Sequence, residues 1–370
     1  MKNRNGLIDI EKFLFSIIVV LYHAGTFYND STTNLCASGY IAVEFNFIVS
    51  GYLIAKKSAC YNGKNILNEN INVFFHRAKS LFPFMFLACL ISNFFYFIGN
   101  ANLNVLKNNL LFSIIDVLGL QMLGFQGFYA TGVAWYISTL FIISLIIYPI
   151  LCYKRELFTK YIAPISVFII LGYICKVDGC LNNPGEWMGG VYKGLLRGYA
   201  DIAVGCIAYE IQLFIDDYQD SKNNVWKFQT IEISCIVISF AFAIFHKSSD
   251  WCDFFLVPIM GVMVAISFSS KSIGKCLTSN MICGLLGTFS LSIYLNHYYI
   301  KENLIRLYPN MNKNIELLVY LLLTMGISIV NFIVGNKIKI SSDNKMKYYS
   351  KVVAVFLTLC GIYYLKTKFF

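Results

Sequence analysis

The chain has 370 residues, of which 57% are hydrophobic and only 14% charged. A soluble globular domain carries about a quarter charged residues, so this composition excludes one and points to an integral membrane protein. The formal charge of +10 does not signal nucleic acid: no soluble segment joins a basic patch to interleaved aromatics, and membrane proteins gather Lys and Arg in cytoplasmic loops and at helix ends.

Apolar runs long enough to cross hydrocarbon as a helix recur along the whole chain. They predict spans near 13–29, 39–55, 81–99, 134–152, 161–176, 196–214, 228–246, 252–269, 283–300, 315–335 and 352–365. The first run has no small-x-small cleavage site, so it is read as a true span and not a signal peptide. A twelfth run, 110–126, is interrupted by Asp116, Gly119, Gln121 and Gly124. Leaving it out of the membrane puts 20 of the 30 Lys and Arg on one side, whereas counting it as a crossing divides them about 17 to 13. The positive-inside rule favours the first arrangement. The pattern therefore predicts an all-α polytopic transmembrane helix bundle of about ten core spans plus one extra C-terminal span. The N-terminus is cytoplasmic, and 110–126 is a re-entrant or surface segment on the outer side. Residues 1–336 make one membrane domain; 337–370 supply a cytoplasmic linker and the extra span.

The stretch from Asn5 to Leu53 holds three ionisable side chains inside apolar runs: Lys12, His23 and Glu44. Such groups are costly at membrane depth and are default candidates for function. Lys12 and His23 lie eleven residues apart, roughly 16 Å along a helix and on nearly the same face. The span boundaries put His23 about six residues below the outer end of its helix and Glu44 about five below the start of the next, near enough to pair. A carboxylate holding one imidazole nitrogen leaves the other free as a general base. The competing reading is a histidine that merely ties two helices together.

Other polar positions carry two readings each. Arg77 precedes a helix whose Pro83 suits a first turn, and it is either a positive-inside anchor or a ligand contact. Trp135 and Tyr136 open a span as belt aromatics or as site residues. Arg197 pairs with Asp201 one turn later or meets substrate. His297 is either interfacial or functional, and Ser50-Gly51 marks close helix packing. His76 and His246 sit at span ends with nothing else to distinguish them. The 12 cysteines include no CxxC pair, and neither a zinc nor a haem spacing is present, so no metal is assigned.

In order, these residues resemble the integral-membrane acyltransferase type 3 family, whose bacterial members acylate cell-surface sugars. The family's basic residue, ten residues and His match Lys12 to His23 in IDIEKFLFSIIVVLYH. Its acidic, Phe-rich, Ser-Gly helix resembles VEFNFIVSGYLI, and its basic motif before proline resembles HRAKSLFP. WYIS at 135–138, RGYADIAVG at 197–205 and SLSIYLNH at 290–297 complete the order. Departures touch the donor contacts. Ser80 stands where the family often has a second arginine, no acidic residue follows WYIS, and Lys replaces Arg at 12, which keeps the charge but loses the bidentate fork.

The resemblance implies an enzyme that moves an acyl group, taken as acetyl, from cytoplasmic acyl-CoA to a hydroxyl of a cell-surface or exported glycan or a lipid-linked sugar. Acetyl-CoA is then a co-substrate and no cofactor is tightly bound. His23 and Glu44 would be catalytic, with His23 as general base or acyl carrier. Lys12, Arg77, Ser50, Trp135 and Arg197 would bind the donor, and Tyr136, Ser138, Tyr294 and His297 would contact substrate. The implied site is the bacterial cytoplasmic membrane. A transporter or flippase of sugar-containing substrates would share the span count and the intramembrane charges, but it usually shows repeat symmetry, which is not evident here. A structural scaffold would tolerate apolar replacement of Lys12, His23 and Glu44.

Overall fold

Asn5 starts the first helix. Its side-chain oxygen accepts from the backbone N–H of Leu7 at 3.1 Å and of Ile8 at 3.2 Å, satisfying two donors that a helix start leaves open. The computed structural model describes residues 4–27, 36–63, 65–100, 103–124, 130–218 and 225–338. The predicted extra span 352–365 lies outside the described residues.

The helices run in the order α1 Gly6–Ala24, α2 Ala42–Ser58, α3 Ile66–Asn100, α4 Leu103–Val117, α5 Trp135–Leu157 and α6 Ala163–Asp178. They continue as α7 Lys193–Asp217, α8 Val225–Phe245, α9 Asp253–Ser267, α10 Met281–Leu307 and α11 Lys313–Lys337. Between α6 and α7 a two-residue hairpin pairs β1 Trp187–Met188 with β2 Val191–Tyr192, antiparallel. Setting α4 aside, these are the ten predicted core helices, and the fold is an all-α bundle.

Among the described residues, five continuous stretches are long and apolar enough to cross a membrane by length and composition. One of them, Trp135–Asp178, has 44 residues, about 66 Å at helical rise and twice the hydrocarbon thickness. It contains a non-helical Lys154 (φ −140°, ψ 47°) and a π turn at Phe158–Ile162, so it divides into α5 and α6. Helix α1 carries Asp9, Glu11 and Lys12, and α10 carries the polar Asn296 and His297 ahead of Lys301, Glu302 and Arg306, so neither is among the five. Both are enclosed by neighbours. The lipid-side apolar residues belong to peripheral helices, as with Phe168, Phe245 and Leu322, which are all exposed.

Three predicted boundaries move. Helix α1 begins seven residues before its apolar run and ends at Ala24, so His23 is its next-to-last residue and Glu44 lies in the first turn of α2. The segment 56–80, which lies between the predicted spans 39–55 and 81–99, is helical from Ile66 onward. Pro83 therefore lies inside α3 and not at a helix start. Proline removes one helical hydrogen bond, which a packed membrane helix tolerates when neighbours re-satisfy the freed carbonyl. Helix α4 has 15 residues, about 22 Å, short of a full crossing. It packs on α3 and leads to a buried turn in which Asp116 accepts from the Thr131 N–H at 3.0 Å and its hydroxyl at 3.2 Å.

Two helix pairs form the centre: α1 lies along α10, and α2 along α7. The second crossing is set by glycine. A Cβ at Gly51 would overlap the Ile202 carbonyl oxygen, and one at Gly205 would overlap that of Ile48. Small residues allow this backbone approach where apolar lipid gives little drive for helix association. The interior behind α10 is polar. Tyr299 donates to the Asn296 amide oxygen at 2.7 Å, Ser328 to the Ser292 carbonyl at 3.2 Å, and Asn331 to the Phe84 carbonyl at 3.1 Å, pinning α10, α11 and α3 together.

Candidate active site

Helices α1, α2, α3, α5 and α10 enclose a cavity of about 450 Å³. It is lined by Lys12 and Ser16 of α1, Asn46 and Ser50 of α2, Arg77 and Ser80 of α3, Tyr136 of α5 and Tyr294 of α10, with Arg4 at one end. Three cationic side chains thus meet one cavity. Arg4 is tied to Asp9 and donates to the Thr288 hydroxyl at 3.0 Å. Arg77 donates to the Ser144 hydroxyl at 2.9 Å.

A second cavity of about 230 Å³ lies toward the C-terminal end of α1 and is lined by His23, Tyr22, Trp135, Asn182, Arg197 and Tyr298, among others. Val19, Val43 and Tyr294 line both cavities, so the two adjoin at these residues. The Tyr294 hydroxyl donates to the Val133 carbonyl at 3.2 Å, which fixes the ring between them. Lys12 faces one cavity and His23 the other, roughly 16 Å apart along the single helix α1.

The partner of His23 differs from the expected one. Its ring lies 5.0 Å from that of His297 and 5.1 Å from Tyr298, the latter edge to face. His297 is fully buried. Its Nδ1 stands 3.3 Å from the Ile293 carbonyl oxygen, and its Nε2 has no hydrogen-bond partner among the described residues. Donation from Nδ1 to that carbonyl makes Nε2 the nitrogen with the free lone pair.

Glu44 is engaged elsewhere. Its Oε1 accepts from Arg197 Nε at 2.8 Å and also from Nη2, and both side chains are buried. The predicted His23–Glu44 pair is therefore replaced by an ion pair across the α2–α7 crossing. The cause is the shift in boundaries: with His23 at the end of α1 and Glu44 in the first turn of α2, the carboxylate faces α7. Nor does Arg197 bond Asp201, whose two oxygens have no hydrogen-bond partner among the described residues. The Trp135 ring covers the guanidinium at 5.2 Å, a cation–π contact that suits arginine.

The other predicted residues divide between the two cavities and the surrounding frame. Lys12, Arg77, Ser50, Tyr136 and Tyr294 line the larger cavity, and His23, Trp135, Arg197 and again Tyr294 the smaller. Ser50 also donates to the Asn46 carbonyl one turn back, at 2.8 Å. Ser138, expected to contact substrate, lines neither cavity; it is buried and accepts from the Met122 N–H at 2.9 Å, which anchors the turn after α4. Sequence reasoning passed over Arg4, Asn46, Tyr22, Asn182 and Tyr298. The signal for Asn46 lay in its place one turn before Ser50; loop position concealed Asn182.

A multi-pass helical bundle with a cationic cavity next to a histidine-bearing one defines the class. The family model described as an acyltransferase domain matches residues 5–333, nearly the whole chain, and the protein belongs to this acyltransferase type 3 family. It is a membrane acyltransferase of groups other than aminoacyl groups, with an acyl donor and an acceptor as its partners. No curated protein and no solved structure matches the chain.

Proposed function

We propose that the protein takes an acetyl group from cytoplasmic acetyl-CoA and delivers it to a hydroxyl of a cell-surface or exported glycan, in a bacterial cytoplasmic membrane with its N-terminus inside. The observation that carries this reading is the division of labour along α1. Lys12, with Arg77 and Arg4, lines one cavity, and His23 lines the adjoining one. Phosphates of the donor suit the cationic end, and roughly 16 Å of helix separates it from the histidine, a reach that suits the thin pantetheine arm.

At the far end, His23 takes the proton of the acceptor hydroxyl as its oxygen attacks the thioester carbonyl carbon. The carbon–sulfur bond then breaks, and the CoA thiolate recovers a proton from His23 to leave as the thiol. Arg197, held by Glu44 and Trp135, lines the same cavity and supplies positive charge for the oxyanion that forms on the carbonyl oxygen. Glu44 then acts through Arg197 as a positioning residue. His297 and Tyr298 fix the His23 ring.

The test is CoA release from acetyl-CoA by purified protein, with crude cell-surface glycan as acceptor. Acceptor-dependent release by wild type, lost in His23→Ala that still accumulates in the membrane, supports the reading. Equal release by the variant contradicts the role of His23.

A further inference from the structure

The loop between α8 and α9 gathers three donors of different chemistry. His246 follows the last residue of α8, and Asp250 and Cys252 come four and six residues later. The imidazole Nε2 or Nδ1, a carboxylate oxygen and the thiol sulfur all lie within 4.8 Å of one another, and all three residues are half-buried. The spacing His-x-x-x-Asp-x-Cys matches no familiar zinc signature, so it carried no weight in the sequence.

The histidine is held as a metal-binding histidine usually is. Its Nδ1 stands 3.1 Å from the buried Ser38 hydroxyl, which is also within reach of the carbonyl oxygens of His246 at 3.1 Å and Ser248 at 3.2 Å. The ring lies flat on Phe242, 4.2 Å between centroids and 14° between planes. Outer partners of this kind fix the ring and leave the other nitrogen for a metal. That nitrogen, Nε2, sits 3.4 Å from Asp250 Oδ2. Two N/O ligands at about 2.0–2.1 Å from a tetrahedral ion are about 3.3 Å apart, so the separation of this pair suits a shared ion, and the Ser248 hydroxyl lies 3.4 Å from the same nitrogen. Asp250 is also fixed: its Oδ1 accepts from the Cys252 N–H at 2.9 Å, and its Oδ2 from the Ser248 hydroxyl at 2.6 Å.

We propose that His246, Asp250 and Cys252 form a site for a borderline divalent cation, zinc above all, with water or the Ser248 hydroxyl completing four ligands. One nitrogen, one oxygen and one sulfur suit zinc and not magnesium or calcium, which prefer oxygen alone. The ion would fix the α8–α9 loop, whose His246 ring already meets the Ser38 hydroxyl just before α2. The same loop reaches the smaller cavity, since Ser249 lies 3.5 Å from the Asn182 amide and Asn182 bonds the Tyr22 hydroxyl at 3.1 Å. The metal's role is thus to brace the rim of the His23 cavity, away from the reacting atoms.

The test uses the purified full chain, stripped with chelator and titrated with Zn²⁺, with Co²⁺ as the spectroscopic probe. The expected result is one equivalent of Zn²⁺, a thiolate-to-cobalt charge-transfer band, and a rise in thermal midpoint that depends on metal concentration. Cys252→Ser should remove the band and weaken Zn²⁺ binding at least about tenfold, and Asp250→Asn should weaken it similarly without loss of the band. The exposed cysteines Cys60 and Cys276 serve as controls, and Cys60→Ser and Cys276→Ser should change nothing. Wild type that binds no Zn²⁺, or affinity unchanged in Cys252→Ser and Asp250→Asn, would overturn the proposal and leave an ordinary His246–Asp250 contact.

Discussion

Removing Arg197 leaves the Glu44 carboxylate buried and uncompensated beside Asp201, itself unbonded among the described residues. Breaking a buried pair by deleting one partner costs about 3–5 kcal/mol, so Arg197→Ala should be strongly destabilised in a detergent melt. The double variant Glu44→Leu/Arg197→Met should recover much of that stability, because two apolar groups need no charge compensation. Its turnover should stay low, since the cationic group beside His23 is gone. A double variant as unstable as Arg197→Ala would show that the pair is not the stabilising unit. Both residues stood out in the sequence as charges in apolar runs. Their partnership was hidden, because 153 residues separate them and the local candidates, Asp201 for Arg197 and His23 for Glu44, were nearer along the chain. The match of Lys12 and His23 to the two cavities was easier to foresee, since both sit on one helix and helical rise alone fixes their separation.

At the scale of helices, the α2–α7 crossing holds Glu44 against Arg197, and glycines govern its closeness. Gly205→Leu should push α7 off α2 and cost on the order of 1–3 kcal/mol by overpacking, measured as a lowered thermal midpoint. Gly172→Leu is the control, because nothing lies within 4 Å of a Cβ there. A Gly205 variant as stable as that control would mean the crossing can relax. Ser50-Gly51 already suggested close packing, and Gly51 does meet backbone, though the partner helix was not legible. The helix starts were misjudged for a related reason. Apolar runs mark where lipid or packed protein surrounds a helix, whereas Asn5 caps α1 through hydrogen bonds well outside the apolar run, and α3 continues through Pro83.

Across the whole molecule, charge distribution sets orientation. The N-terminal end of α1 packs against the turn holding Cys276, since a Cβ at Gly6 would meet Leu277, and Cys60 follows the end of α2 at this same end of the bundle. A cytoplasmic N-terminus predicts that Cys60 and Cys276, both exposed, resist an impermeant thiol reagent in intact cells and react in inverted vesicles. Reaction in intact cells would reverse the topology and place the cationic cavity on the side that lacks CoA. Composition made the membrane class and helix count legible, because lipid imposes length and apolarity on every crossing. It could not reveal that α1, with Asp9, Glu11 and Lys12, and α10, with the buried Asn296 and His297, lie together at the centre of the bundle. The most direct measurement is paired acetyl-CoA affinity and CoA release for wild type, Lys12→Gln and His23→Ala. His23→Ala should bind acetyl-CoA within about twofold of wild type yet lose about 10²–10⁴-fold in release, while Lys12→Gln should lose about tenfold in affinity, some 1.4 kcal/mol. Donor affinity lost in His23→Ala and kept in Lys12→Gln would contradict a cationic donor end and a histidine reacting end.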